Sequence, residues 1–301
     1  MIIVIYRNVF FILTALITLV SLGALAIFGL DYSTDFTGGT LVEVHYEGEK
    51  PGVDALAAAL GEEGFSGHAV RETGSDGFII RAENITPEVR DRVPQILSLN
   101  GAYAPTIERF TEIGPVIGEE LRNKAFVALI LVLVAIVLYV AFAFRKVSEP
   151  VSSWKYGLIA LAALTHDVVV PLGFFAILCE FFGAQVDTLF VTAILTILGF
   201  SVHDTIVVFD RVRENLRLIQ EQRRKEDFEV TAGHSLNQTL VRSVNTSLTV
   251  IISLGALYVI GPVATEHFAL TLMVGIIAGT YSSVALATPL LVVAAGRAAA
   301  K

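Results

Sequence analysis

The chain has 301 residues, 54% of them hydrophobic, with a mean hydropathy of +0.70 and a formal net charge of −8. An ordinary soluble domain is about 45–50% apolar even with glycine counted. The excess here lies in long runs, which excludes a purely water-soluble protein and points to several membrane-spanning helices. The single cysteine, Cys179, excludes an internal disulfide.

Residues 1–30 hold one apolar run after Arg7. It exceeds the about 7–15 residues of a signal-peptide core, so it reads as a first transmembrane helix. Residues 31–122 are polar, acidic and turn-rich. Apolar runs return at 125–144, 156–179, 188–209, 240–260 and 268–294, each near the about 20 residues that a bilayer demands. The expected fold is a polytopic α-helical membrane protein: six transmembrane helices, an α+β domain over 31–122 between helices one and two, and a five-helix membrane domain over 123–301. The latter includes a basic cytoplasmic loop at 211–236. Arg7, then Arg145, Lys146 and Lys155, the Arg211–Arg224 cluster with Lys225, and finally Arg297 and Lys301 all fall on one side. The short segments 180–187 and 261–267 on the other side hold no Lys or Arg. By the positive-inside rule both termini are cytoplasmic and 31–122 lies outside.

The outer segment alternates as a strand over 40–46 (TLVEVHY), then reads as a helix over 51–63 with Pro51 near its start. Strands at 68–72 and 78–82 flank a turn at 74–77. A second helix spans 86–97 with Thr86 as N-cap and Pro87 at its first position, and a last strand covers 104–112. The order βαββαβ is ferredoxin-like. An open face or edge of such a sheet can add an extended peptide; a compact spacer is the equal alternative, since fold does not give function. Gly38 and Gly39 at one end of the domain, and Gly114 and Pro115 at the other, are hinge candidates or plain turns.

The chemistry-bearing residues sit inside the apolar runs. Span four carries Ser201, His203, Asp204 and Thr205; span three carries Thr165, His166 and Asp167, with Pro171 one turn later. Span five places Arg242, Asn245, Thr246, Thr249 and Ser253 at helical spacing, on one face. Span six has Gly275 and Gly279, a small-xxx-small spacing for close helix packing, followed by Thr280, Ser282 and Ser283. A carboxylate in hydrocarbon costs about 2.5–3.5 kcal/mol and marks proton or ion pathways more often than not. Asp204 lies six residues before Asp210-Arg211, hence about 9 Å inside that membrane boundary, and Arg242 lies at a similar depth on the returning span. The two are therefore expected to pair, either as a switch that lets Asp204 carry protons or as a static link between helices. His166-Asp167 and His203-Asp204 have the residue types of a transition-metal site. Neighbours on one helix point about 100° apart, however, so no metal is expected. No nucleotide-binding or nucleophile signature is present. Paired membrane aspartates could also suggest an aspartyl protease, but no gating loop supports it. The reading is of a protein that is not an enzyme and has no cofactor.

Six stretches bear a resemblance that covers nearly the whole chain. They are DFTGGT at Asp35–Thr40, IGPVIGEEL at Ile113–Leu121, ALTHDVVVPLGFFA at Ala163–Ala176, LGFSVHDTIVVFDRVREN at Leu198–Asn215, NQTLVRSVNTSLT at Asn237–Thr249 and GTYSS at Gly279–Ser283. With them the chain resembles the SecF members of the SecD/SecF protein-export family, in the resistance-nodulation-division superfamily. The resemblance implies a six-span subunit that pairs with six-span SecD in the bacterial inner membrane and uses the proton-motive force to assist late steps of export. It implies as partners the SecY/SecE/SecG channel, YajC and the unfolded translocating polypeptide. Asp204 and Arg242 match the family's intramembrane proton-site positions, and Asp167 its span-three His-Asp. Two departures are His203, where the family has Asn, and Pro171. The chain begins at Met1, so SecD is expected as a separate polypeptide. A small-molecule or lipid exporter of the same superfamily and a scaffold without proton coupling are the rival readings.

Overall fold

The computed structural model describes residues 2–145, 151–224 and 226–299. The sequence expectations resting on Lys146, Lys225, Lys301 and the side chain of Arg297 lie outside the described residues. In chain order come α1 (Ile2–Ile5), α2 (Arg7–Phe28), α3 (Thr34–Thr37), β1 (Gly39–Tyr46), α4 (Val53–Glu62), β2 (Ala69–Thr73), β3 (Gly77–Ala82), α5 (Pro87–Leu97) and β4 (Pro105–Ile113). Then follow α6 (Pro115–Ala143), α7 (Ser153–Phe182), α8 (Thr188–Glu221), α9 (Phe228–Ile260) and α10 (Glu266–Ser282). A π-helical turn (Ser283–Ala287) and α11 (Thr288–Ala299) come last among the described residues.

Among the described residues, six helices are long and apolar enough to cross a membrane: α2, α6, α7, α8, α9 and the continuous run Val263–Gly296 through α10 and the π turn. The chain divides into two compact units, one of residues 32–126 with 185–188 and the other of the rest.

In the smaller unit the four strands form one antiparallel sheet in the order β2-β3-β1-β4. With two helices in the connections this is the ferredoxin-like arrangement. The two-residue period of β1 sends Val42, Val44 and Tyr46 to one face, where they pack with Phe78 and Ile80 of β3, Leu56 and Leu60 of α4, and Val93, Ile96 and Leu97 of α5. A bulge between Glu43 and Val44 shifts the β1–β4 register, so that Val42 faces Phe110 and Val44 faces Ile107; both partners stay on the core face. The Tyr46 hydroxyl donates to the Leu97 carbonyl at 2.9 Å.

The junction below β1 is packed rather than loose. Gly38 and Gly39 have φ of 75° and 124°, in the region that favours glycine. A Cβ on Gly38 would meet Pro115 Cα at 2.7 Å, and one on Gly39 would meet the Ala82 carbonyl at 2.5 Å. Asp35 accepts from the backbone N–H of Thr188 at 3.1 Å and from its hydroxyl at 2.9 Å, capping the start of α8.

In the membrane unit, the basic segment expected as a loop over 211–236 is largely helical. Charges end a hydropathy run but not a helix: Asp210–Arg213, Arg211–Glu214 and Arg217–Glu221 pair at helical spacing and carry α8 on to Glu221, and α9 already begins at Phe228. Asn215 ties the two helix ends together, donating to Ser235 at 2.7 Å and to Gln238 at 3.1 Å. Close by in sequence, Phe209 joins Phe144 and Tyr156 in an aromatic cluster, the last two stacked at 4.9 Å.

Burial pushes the Tyr46 phenol up to about 12, against about 10 in an unfolded chain. Above about pH 10 the unfolded chain loses this proton first, so the folded domain holds more protons and its stability falls as pH rises towards 12. Below that window the contribution is fully present. Urea titrations read by a fluorophore at Ser75 should show this loss in the native chain. Tyr46→Phe should flatten it, at a cost of about 0.5–1.5 kcal/mol at neutral pH for the lost hydrogen bond.

Candidate functional site

Among the described residues, two carboxylates lie buried among the membrane helices: Asp167 of α7 is 0% exposed and Asp204 of α8 is 6% exposed. Each is held by hydroxyls from other helices. Asp167 Oδ2 accepts from Ser282 of α10 at 2.8 Å and also from Ser201 of α8, while Oδ1 meets His166 Nδ1 at 2.9 Å. Asp204 Oδ1 accepts from Ser243 of α9 at 2.5 Å and Oδ2 from Ser283 of the π turn at 3.0 Å. Beside them Ser247 of α9 and Thr280 of α10 share a hydrogen bond at 2.5 Å. A hydrogen bond to a charged group is worth about 1.5–3 kcal/mol, so two donors per carboxylate are of a size to offset the insertion cost of about 2.5–3.5 kcal/mol. Four helices are thereby stitched to one another through two acids.

The close approach that makes this possible comes from glycine. A Cβ on Gly275 would fall 2.1 Å from the Ile197 side chain, and one on Gly279 would fall 2.9 Å from Ser201 Cβ. The expected small-xxx-small pair thus packs α10 on α8 within this chain, and sets Ser201 beside Asp167.

The expected pairing of Asp204 with Arg242 is not formed. Ser243, one residue further along α9, takes the acid, and Arg242 is exposed on another side of the helix. Neighbouring helical residues point about 100° apart, so one residue decides which side chain faces inward. Leu236, Thr239, Ser243 and Ser247 form the buried face of α9. Asn245, Thr246, Thr249 and Ser253 are exposed like Arg242, so the polar stripe read on one face of this span turns away from the chain's own bundle. His203 is exposed, whereas His166, Ser201 and Thr205 are buried. Gly38, Gly39, Gly114 and Pro115 lie outside this cluster, in the smaller unit. Among the described residues, no group of three or more His, Cys, Asp or Glu side chains could hold a metal ion. Sequence reasoning missed Ser243 and Ser247 and did not assign Ser282 and Ser283 to the acids. The only available signal was their helical spacing.

Residues 96–297 match the family model for the C-terminal part of the protein export membrane protein SecD/SecF, and residues 23–49 match that of the SecD/SecF GG motif. The chain belongs to the SecD/SecF family. Among its relatives, the protein translocase subunit SecF of Thermobaculum terrenum is 44% identical over 95% of this chain and 92% of the relative. That of Pseudomonas aeruginosa is 34% identical over 95% and 89%. The crystal structure of SecDF from Thermus thermophilus, described as a translocon-associated membrane protein, is similar with a TM-score of 0.81 and 32% identity over 95% of this chain. A structure of SecDF in a super-membrane-facing form gives a TM-score of 0.65 at 32% identity over 98% of this chain. The chain spans only 37% and 38% of the length of those solved proteins. The GG motif contains the packed Gly38-Gly39 junction, and the C-terminal family region contains both clamped acids.

The glycine contact yields a paired test. Gly279→Ala drives a methyl group into Ser201 and should destabilise the chain by about 1–3 kcal/mol. Gly255→Ala in α9 meets nothing within 4 Å and should be neutral or stabilising by up to about 1 kcal/mol. Thermal unfolding of both variants in lipid nanodiscs checks the difference in sign.

Proposed function

We propose that this chain acts beside SecD as an accessory subunit of the Sec protein translocase, using the proton-motive force to assist late steps of protein export. It is no enzyme in this reading, and it sits in the bacterial cytoplasmic membrane with both termini inside and the ferredoxin-like domain outside. The carrying observation is the pair of acids, Asp167 and Asp204, buried in membrane helices and held by hydroxyls. Hydroxyls can serve a carboxylate as donors and a carboxylic acid as acceptors, so the same side chains can serve a site that gains and loses a proton. In this reading Asp204 and Asp167 carry the proton, His166, Ser201 and Thr205 furnish their polar surroundings, and the outer domain transmits the resulting motion to an emerging chain.

The outward stripe of α9 supports partnership. Arg242, Asn245, Thr249 and Ser253 are exposed on a helix apolar enough to cross a membrane, and polar side chains facing bare lipid are costly. A second membrane subunit, SecD, covers them in this proposal, with the SecY/SecE/SecG channel and YajC as further members of the assembly.

Asp204→Asn keeps size but cannot ionise. It should leave insertion intact and abolish the gradient-stimulated part of late translocation into inverted vesicles. Wild-type stimulation in that variant would leave the acids as structural links alone. Arg242→Ala should leave the isolated chain folded but reduce co-purification with SecD, and His203→Asn should be tolerated. A cysteine at Ser75 should react with impermeant reagents on spheroplasts while one at Gln222 should not; the reverse pattern would overturn the orientation.

A further inference from the structure

Ser282 and Ser283 are consecutive, yet they serve different acids. Ser282 ends α10 and donates to Asp167, whereas Ser283 opens the π turn and donates to Asp204. In each case a second acceptor stands within reach. Ser282 Oγ lies 2.8 Å from Asp167 Oδ2 and 3.1 Å from the Gly279 carbonyl. Ser283 Oγ lies 3.0 Å from Asp204 Oδ2 and 3.0 Å from the Thr280 carbonyl. A hydroxyl has one proton, so each serine can donate fully to only one of its two acceptors.

We propose that Ser282 and Ser283 form a two-position hydroxyl switch that couples the protonation states of Asp167 and Asp204 through the backbone of span six. The inference rests on the proton-carrying reading above and adds to it the element that links the two acids. When an acid is ionised, its serine donates to it. When the acid takes up a proton, its own O–H can donate to the serine oxygen, and the serine turns its unchanged proton to the carbonyl one turn back. Those carbonyls belong to Gly279, at the α8 contact, and to Thr280, whose hydroxyl holds Ser247 of α9. The two serines share a peptide unit, so a change at one acid alters the strand of backbone that presents the donor to the other. The π turn leaves a further point of support: Thr288 donates to the Ser283 carbonyl at 3.0 Å. Such turns are frequent at functional sites.

His166 meets Asp167 directly and its ring lies 6.0 Å from that of Tyr281. Tyr281 bonds to Thr14 of α2 at 3.1 Å. On α8, His203 adjoins Asp204 in sequence but is exposed, and on α9 Arg242 is exposed beside Ser243.

Infrared difference spectroscopy of the full chain in lipid vesicles tests the link. Subtracting the spectrum of Asp167→Asn isolates the Asp167 carboxyl band, which is then titrated with pH. In an Asp204→Asn background, which mimics the protonated neighbour, the Asp167 midpoint should move by about one pH unit, the size at which two sites titrate as a pair. Adding Ser283→Ala should remove most of that displacement and Ser283→Thr, which keeps a hydroxyl, should retain it. Serines that only hold helices together would leave the Asp167 midpoint where it was in the Asp204→Asn background, or displaced equally with and without the Ser283 hydroxyl; either result overturns the inference. Should Ser283→Ala not fold, Ser282→Ala cuts the same link from the other end, read at the Asp204 band with Asp167→Asn as the perturbation. The spectra involve no export assay, so failure here leaves the export reading standing, and failure of export coupling in Asp204→Asn tests that reading separately.

Discussion

A carboxylate in hydrocarbon must find donors within the protein, and that requirement organises the membrane unit. Asp167 and Asp204 stand on consecutive spans, and their four serine donors come from α8, α9, α10 and the π turn. Removing any one donor leaves a buried acid under-satisfied, a loss of about 1–3 kcal/mol or more for a charged group. The glycines of α10 are subordinate to the same demand. Without a side chain at 275 and 279 the helix comes close enough to α8 for Ser201 and Ser282 to meet on one carboxylate oxygen.

The α9 helix shows how one element serves two needs. Its buried face, Leu236, Thr239, Ser243 and Ser247, completes this chain's own bundle. The face bearing Arg242, Asn245, Thr249 and Ser253 is equally periodic and points away. In a water-soluble protein an outward polar stripe needs no explanation. On a membrane span it asks for cover, which is why a second subunit belongs in the account.

Much of this was legible in the residues. Run lengths placed six spans, the two-residue period over 40–46 marked the first strand, and the cost of a charge in lipid singled out Asp204 and Asp167. The order of elements in the ferredoxin-like domain followed from turn and cap residues such as Gly74, Thr86 and Pro87. What could not be read was rotation. Arg242 and Ser243 differ by one position, and charge complementarity favoured the arginine, but packing of Leu236 and Ser247 turns Ser243 inward. Nor could the π turn at Ser283–Ala287 be read from periodicity, since SVALA suits an ordinary α-helix equally well. The helical continuation of α8 was missed because hydropathy stops at Asp210 while the i,i+3 and i,i+4 charge pairs carry the helix on.

Whether protons move through the clamped acids can be measured directly. Liposomes containing the chain with its SecD partner and an entrapped pH dye, given an external acid pulse, measure this without any secreted substrate. Proton entry above that of empty liposomes, lost in Asp204→Asn, is the predicted result. Equal entry with and without the Asp204 carboxylate would contradict it.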